Sequence, residues 1–137
     1  MLWSALLLPL GPDNTPPLDE QLRGLSIWAL QFTPRTAIVE DAVVMEVEAS
    51  ARLFGGKRAL RDRVVQEAAE LGVLQVSWAP TSLAAAALAR AGKENGVRGA
   101  LAELLDSLAM TTLYATRPHV TTLSQLGCKT LGDVRAL

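Results

Sequence analysis

Three sets of side chains have types and spacings that chemistry can use. The first is a pair of carboxylates, Glu46 and Glu48, two residues apart in the apolar run Val43 to Ala49. In a β-strand, alternate residues share a face, so this spacing puts both carboxylates on one side of a sheet. Such a pair could hold one weakly bound metal ion; a solvated sheet face is the simpler reading. The second is a basic cluster, Arg52, Lys57, Arg58, Arg61 and Arg63. A charge run on an amphipathic helix is usually a solvated face, so no ligand is assigned to it. The third is the C-terminal stretch, where Arg117, Lys129 and Arg135 are opposed only by Asp133.

The remaining reactive residues narrow the chemistry. Cys128 is the only cysteine and His119 the only histidine. A disulfide framework, a cysteine-rich zinc site and a multi-histidine metal site are therefore excluded. Cys128 reads as a small apolar residue and His119 as a surface residue at a helix start. Thirteen Lys and Arg against fourteen Asp and Glu leave a net charge of −1. This is not the basic balance of a self-sufficient nucleic-acid binder. The longest apolar run, Leu83 to Ala89, is too short to span a bilayer. Met1 to Leu10 has no basic region and no small-residue cleavage site, so it reads as structure and not as a signal peptide. Together these features point to the cytoplasm and to no membrane partner.

The elements that must position these residues follow from periodicity. Trp3 to Leu8 reads as a buried strand, and Gly11 to Pro17 as a loop with four Pro or Gly in seven residues. Asp19 opens a helix with Leu22, Leu25, Trp28, Ala29 and Phe32 on one face, stopped at Thr33-Pro34. Ala37–Val39 and Val43–Ala49 read as strands around a turn at Glu40-Asp41. Lys57 to Leu71 is an amphipathic helix with Gly72 at its end. Leu74 to Ala79 alternates as a half-buried strand. Thr81-Ser82 opens an alanine-rich helix that stops at Gly92. Gly96 to Leu108 and Val120 to Leu126 read as helices, and Thr130 caps another with Asp133 at its third position. Trp3, Trp28 and Trp78 lie on apolar faces. The fold class is α+β, with a mostly antiparallel sheet, helices 19–32 and 57–71 on one face, and a helical piece at 118–137.

Five local sequences in this order carry a resemblance: Leu30-Gln31-Phe32-Thr33-Pro34-Arg35, Val44-Met45-Glu46-Val47, Arg52-Leu53-Phe54-Gly55-Gly56, Val76-Ser77-Trp78-Ala79-Pro80-Thr81, and Leu126-Gly127-Cys128-Lys129-Thr130-Leu131-Gly132-Asp133-Val134. The set resembles the Y-family translesion DNA polymerases, and within them the ImuB branch of polymerase-like mutagenesis accessory proteins in bacteria. The resemblance implies a reduced polymerase palm over residues 1–96 and a partial helical thumb over 97–137, ending in a helix-hairpin-helix-like motif.

The departures from the family pattern bear on activity. The family holds two Mg²⁺ ions with carboxylates from two palm segments, and two ions stabilise the attacking and leaving oxygens of phosphoryl transfer. The first segment here is Leu2 to Leu8, which has no carboxylate. The second aligns its acidic pair on Asp41 and Ala42, leaving Asp41 as a degenerate metal-ligand position or a plain turn aspartate. No Mg²⁺ pair and no other cofactor is expected. The lysine-bearing helix of the family is replaced by Ser82 to Ala87. Lys93 remains at the position that faces a triphosphate in the family, or is simply a solvated helix end. Gly11 to Pro17 replaces a longer palm and fingers stretch, and the little finger and the clamp-binding and partner-binding regions lie outside this sequence.

The resemblance implies a non-catalytic accessory protein in DNA repair, the SOS response and error-prone translesion synthesis, in a bacterial cytoplasm and at the nucleoid when acting. Its implied partners are DNA, an ImuA-type protein, a mutagenic replicative-type polymerase and the sliding clamp. Weak, backbone-type DNA contact is expected from Gly127, Lys129, Thr130, Arg117 and Arg135, because amides at a helix start bind phosphate; Lys93 is the other candidate. Two alternatives stand beside this reading: an active Y-family polymerase, and a truncated remnant with no present activity.

Overall fold

A computed structural model describes residues 1–94, 101–112 and 114–137. The chain begins with β1 (Trp3–Leu7), α1 (Asp19–Ala29), β2 (Thr36–Val39) and β3 (Ala42–Glu46). It continues with α2 (Lys57–Glu70), β4 (Gln75–Ala79) and α3 (Ser82–Arg90). The sheet order is β2-β3-β1-β4, with every neighbouring pair antiparallel. In the register, Ser4 stands between Met45 and Trp78, and Leu6 between Val43 and Val76. The path β1-α1-β2 skips over β3, and β3-α2-β4 skips over β1. This is the split βαββαβ arrangement of ferredoxin-like sheets.

The sheet is apolar on both sides. Leu2, Leu6, Leu8, Val43, Met45, Val47 and Trp78 face α1 and α2, where they meet Leu22, Leu25, Ala29, Phe32, Leu60, Val64 and Ala68. Ala5, Leu7, Ala42, Val44 and Ala79 face the other way and are covered by Ala84 to Ala89 of α3 and by Leu108. Helices α1 and α2 share one face, as expected, and α3 adds a cover on the second face that the expectation of helices on one face did not include. All five residues of β3 are buried, so a one-sided layer would leave half of them in water. The small alanines let α3 lie close to the sheet. Trp78 is a core residue, while Trp3 and Trp28 are only partly buried at the margins.

Local chemistry sets the ends of these elements. Thr81 caps α3 by accepting the Ala84 amide at 3.2 Å. The Ala51–Phe54 segment forms a 3-10 turn that reaches α2 through Gly55 and Gly56, with φ of 90° and 105°. Those angles favour glycine strongly. Trp28 Nε1 on α1 donates to Glu67 on α2 at 3.1 Å, and Arg63 pairs with the same carboxylate at 2.7 Å. These bonds hold Glu67 below the usual carboxylate range, the arginine contributing most.

The C-terminal segment contains α4 (Leu101–Ser107), α5 (Val120–Gln125) and α6 (Leu131–Arg135), with 3-10 turns at Met110–Thr112 and Tyr114–His119. Residues 96–100 of the expected 96–108 helix, and the expected domain boundary at 96/97, lie outside the described residues. Leu108 shares the buried cluster of α3, with Leu104, Leu105 and Leu131 packed against it. No residue of α5 or α6 is buried. Gly132 allows the close crossing of α6 and α4: a Cβ there would lie 2.9 Å from the Cβ and the carbonyl oxygen of Asp106.

Candidate functional site

The β2–β3 hairpin delivers Asp41 to the end of the sheet beside the C-terminus of α3. Glu40 takes a positive φ of 60° in this turn. Asp41 is buried, and its Oδ1 accepts from Arg90 Nε at 3.2 Å and Nη2 at 3.0 Å. Arg90 is equally enclosed and also donates to the Thr112 carbonyl at 3.1 Å and to Glu40 at 3.4 Å. Asp41 thus faces an arginine where a metal ligand would face a cation. The guanidinium fork therefore fills the place that a metal ion would take beside this carboxylate.

The other acids do not gather around Asp41. Glu46 stands at the opposite end of β3, five residues along an extended strand, or roughly 16 Å. The expected Glu46–Glu48 pair on one face is corrected. The strand ends at Glu46, because the chain turns over Val47 to Ala51 with Ser50 N donating to the Val47 carbonyl. Glu46 is buried, accepts the Glu48 amide at 3.2 Å and lies 3.8 Å from Arg35. Glu48 leaves the sheet and pairs with the Met1 amino group at 3.2 Å and Lys57 at 3.3 Å. Those two cations lower its pKa, the amino group more than the lysine. Among the described residues, no three His, Cys, Asp or Glu side chains converge.

The centre of the sheet is apolar where the resemblance would place a palm carboxylate. Ser4, Ala5 and Leu6 are fully buried in β1 between β3 and β4. The Ser4 hydroxyl has no hydrogen-bond partner among the described residues. Its neighbours across the strands are Met45, whose thioether is a weak acceptor, and Trp78, whose indole only donates; neither is a ligand for a hard cation such as Mg²⁺.

At the C-terminal turn, Gly127 has φ 86° and ends α5, and Thr130 caps α6. The Lys129 and Thr130 amides both donate to Asp133 Oδ2, at 2.9 and 3.1 Å, and the Asp133 amide returns to Thr130 Oγ1 at 3.2 Å. The Gly127 and Cys128 amides go to the Ser124 and Leu123 carbonyls. A carboxylate of the chain itself therefore fills the place expected for a phosphate. The two backbone amides hold Asp133 below its ordinary pKa. Arg135 forks onto both carboxylate oxygens of Asp106, and Arg117 Nε donates to the Thr111 carbonyl at 3.0 Å. The Asp106 pKa is lowered by Arg135, and that of Arg135 raised in return. Lys129 is exposed, His119 is exposed and Cys128 is buried.

Lys93 serves through its backbone. Its carbonyl accepts the Ser77 hydroxyl, and the next carbonyl, of Glu94, accepts the Trp78 amide at 2.9 Å. The segment so borders the outer edge of β4, with the lysine side chain in solvent. Asn95 and Gly96, which complete the expected motif, lie outside the described residues.

Arg90 is the residue that sequence reasoning missed. Its signal was present: a lone arginine closing a helix of alanine and leucine, all six residues from Ala84 to Ala89 being buried. A cation on such a helix needs a partner, although the sequence does not say which one. No protein-family model matches this chain, and neither a curated protein nor a solved structure is found to be similar to it.

Proposed function

We propose that this chain is a non-catalytic, polymerase-like protein of the ImuB type, with a reduced palm and a partial thumb. It acts in DNA repair and error-prone translesion synthesis as an accessory to DNA and to other proteins. The observation that carries this reading is the residue set at the two palm positions. Ser4, Ala5 and Leu6 fill the central strand, Ala42 stands beside Asp41, and Asp41 is held by Arg90. The βαββαβ sheet supports the palm comparison. A phosphoryl-transfer centre needs carboxylates converging on two cations, and Asp41 with Glu46 at the far end of β3 does not supply them. The partners of this reading are an ImuA-type protein, a mutagenic replicative-type polymerase and the sliding clamp, with the protein working in the cytoplasm.

Two measurements test the reading together. Purified protein with a primer–template, nucleotides and Mg²⁺ or Mn²⁺ is expected to extend nothing. Deleting the gene is expected to lower damage-induced mutation in its host. Extension that vanishes in Asp41→Ala would overturn the non-catalytic assignment, and unchanged mutation frequency would overturn the accessory role.

A further inference from the structure

The basic cluster at the start of α2 occupies a place that its sequence alone does not show. A groove of about 870 Å³ runs along this helix, with Lys57, Arg58 and Arg61 on one wall and Trp78 beneath. The Arg61 guanidinium lies over the Trp78 ring at 4.9 Å, and its Nε is closed off from solvent without an acceptor among the described residues. Lys57 is engaged with Glu48, whereas Arg58 and Arg61 form no ion pair among the described residues. Asp62 and Glu94 also border the groove and do not pair with either arginine.

We propose that this groove binds phosphate groups through Arg58 and Arg61, and that the ligand is a polynucleotide strand contacted by its backbone. The two arginines are three residues apart on a helix, hence neighbours on one face. A guanidinium fork matches phosphate oxygens in a bidentate way, and Trp78 holds one fork in place before binding. Lys57 and Arg58 also sit in the first turn of α2, where the helix dipole disfavours cations and an anion offsets that cost. The groove is far larger than one phosphate, which favours a strand over a small ion. Trp78 is 1% exposed, so it holds the arginine and offers no face for a base to stack on. Binding is therefore independent of base sequence. The proposal takes from the function above only the identity of the strand as nucleic acid; mutation frequency decides that function, and phosphate binding decides this site.

The test is fluorescence anisotropy with the full chain and a labelled single strand of about 20 nucleotides, at about 50 and 200 mM salt. Wild-type protein is expected to bind at low salt and to weaken steeply at the higher one. Arg58→Gln with Arg61→Gln should lose about tenfold in affinity, while Arg23→Gln, at an exposed position of α1 outside the groove, stays within about twofold. Arg61→Lys keeps a cation over Trp78 and removes the fork, so it should bind several-fold more weakly while keeping its circular dichroism spectrum. If the double variant fails to fold, Arg58→Gln and Arg61→Lys decide alone: two wild-type affinities overturn the site. Absence of wild-type binding at low salt overturns it as well. Displacement of the strand by inorganic phosphate at an equal phosphate concentration would make the ligand a small phosphate and overturn the strand assignment.

Discussion

The βαββαβ layer and the C-terminal helices reach order by different means. In the first, side chains from distant positions meet in two buried clusters that cover both faces of one sheet. In the second, α5 and α6 bury no residue, the turn between them is held by local amides and a cap, and an ion pair of Arg135 with Asp106 ties α6 to α4. The difference bears directly on function. In the sheet, the one surviving candidate ligand, Asp41, is neutralised by a residue 49 positions away. At the C-terminal turn, the candidate phosphate amides are neutralised by a residue three or four positions away. Both places that look reactive in sequence are internally satisfied, and Arg58 and Arg61, which form no ion pair among the described residues, lie elsewhere.

Breaking the Asp41–Arg90 pair should have the largest effect. Arg90→Ala leaves a buried carboxylate without its partner and should cost roughly 3–5 kcal/mol in urea unfolding. A loss below about 1 kcal/mol would place the pair in effective contact with water and erase the contrast between the regions. Gly132→Ala comes next. Its new Cβ meets Asp106 at 2.9 Å and should cost roughly 1–3 kcal/mol, felt as faster amide exchange in α4 and α6 and not in β1 or β3. Uniform exchange throughout would mean that the two regions unfold as one.

Smaller effects sharpen the same contrast. Thr130→Ala removes the cap of α6 and should cost about 1 kcal/mol, again confined to the C-terminal segment. Acid acts on both regions, since Glu48 and Glu67 of the sheet layer also have lowered pKa values, but it should disorder the C-terminal segment first, because α5 and α6 bury no residue that would hold them. The folded pKa values of Asp106 and Asp133 are below their unfolded values. Their contribution is complete above the unfolded pKa of about 4 and is lost as pH falls through the folded values. NMR spectra recorded from pH 6 to pH 2 should show 126–137 losing dispersion before the sheet does. In the opposite direction, Ser4→Ala deletes an unpartnered buried hydroxyl and should stabilise by up to about 1 kcal/mol in thermal unfolding. Destabilisation there would mean that the hydroxyl has a partner, such as an ordered water.

Local signals were legible from the residue order. The apolar run of β1, the alternation in β3 and β4, the apolar faces of α1 and α2, and the Thr130–Asp133 cap each appear within a few residues of sequence. The same cap closes the amides of the C-terminal turn, since a capping box consumes the groups that a phosphate would need, and the expectation of phosphate contact there overlooked it. The end of β3 was less legible. Val43 to Ala49 alternates throughout, yet the chain turns over Val47, and Glu46 and Glu48 part company. Periodicity shows which residues share a face of a strand, and not where the hydrogen-bonded ladder stops.

The sequence by itself determined the α+β class, the order of strands and helices through α3, and the lack of a carboxylate in the first strand. These depend on residue type and short-range spacing, which are properties of the chain before it folds. Tertiary structure alone decided that α3 covers the second face of the sheet, that Arg90 reaches Asp41, and that Arg61 lies over Trp78 beside a groove. Each depends on which distant side chains become neighbours when apolar surface leaves water. That burial is non-directional: it asks for cover, and the geometry of the packed layers selects which residue supplies it.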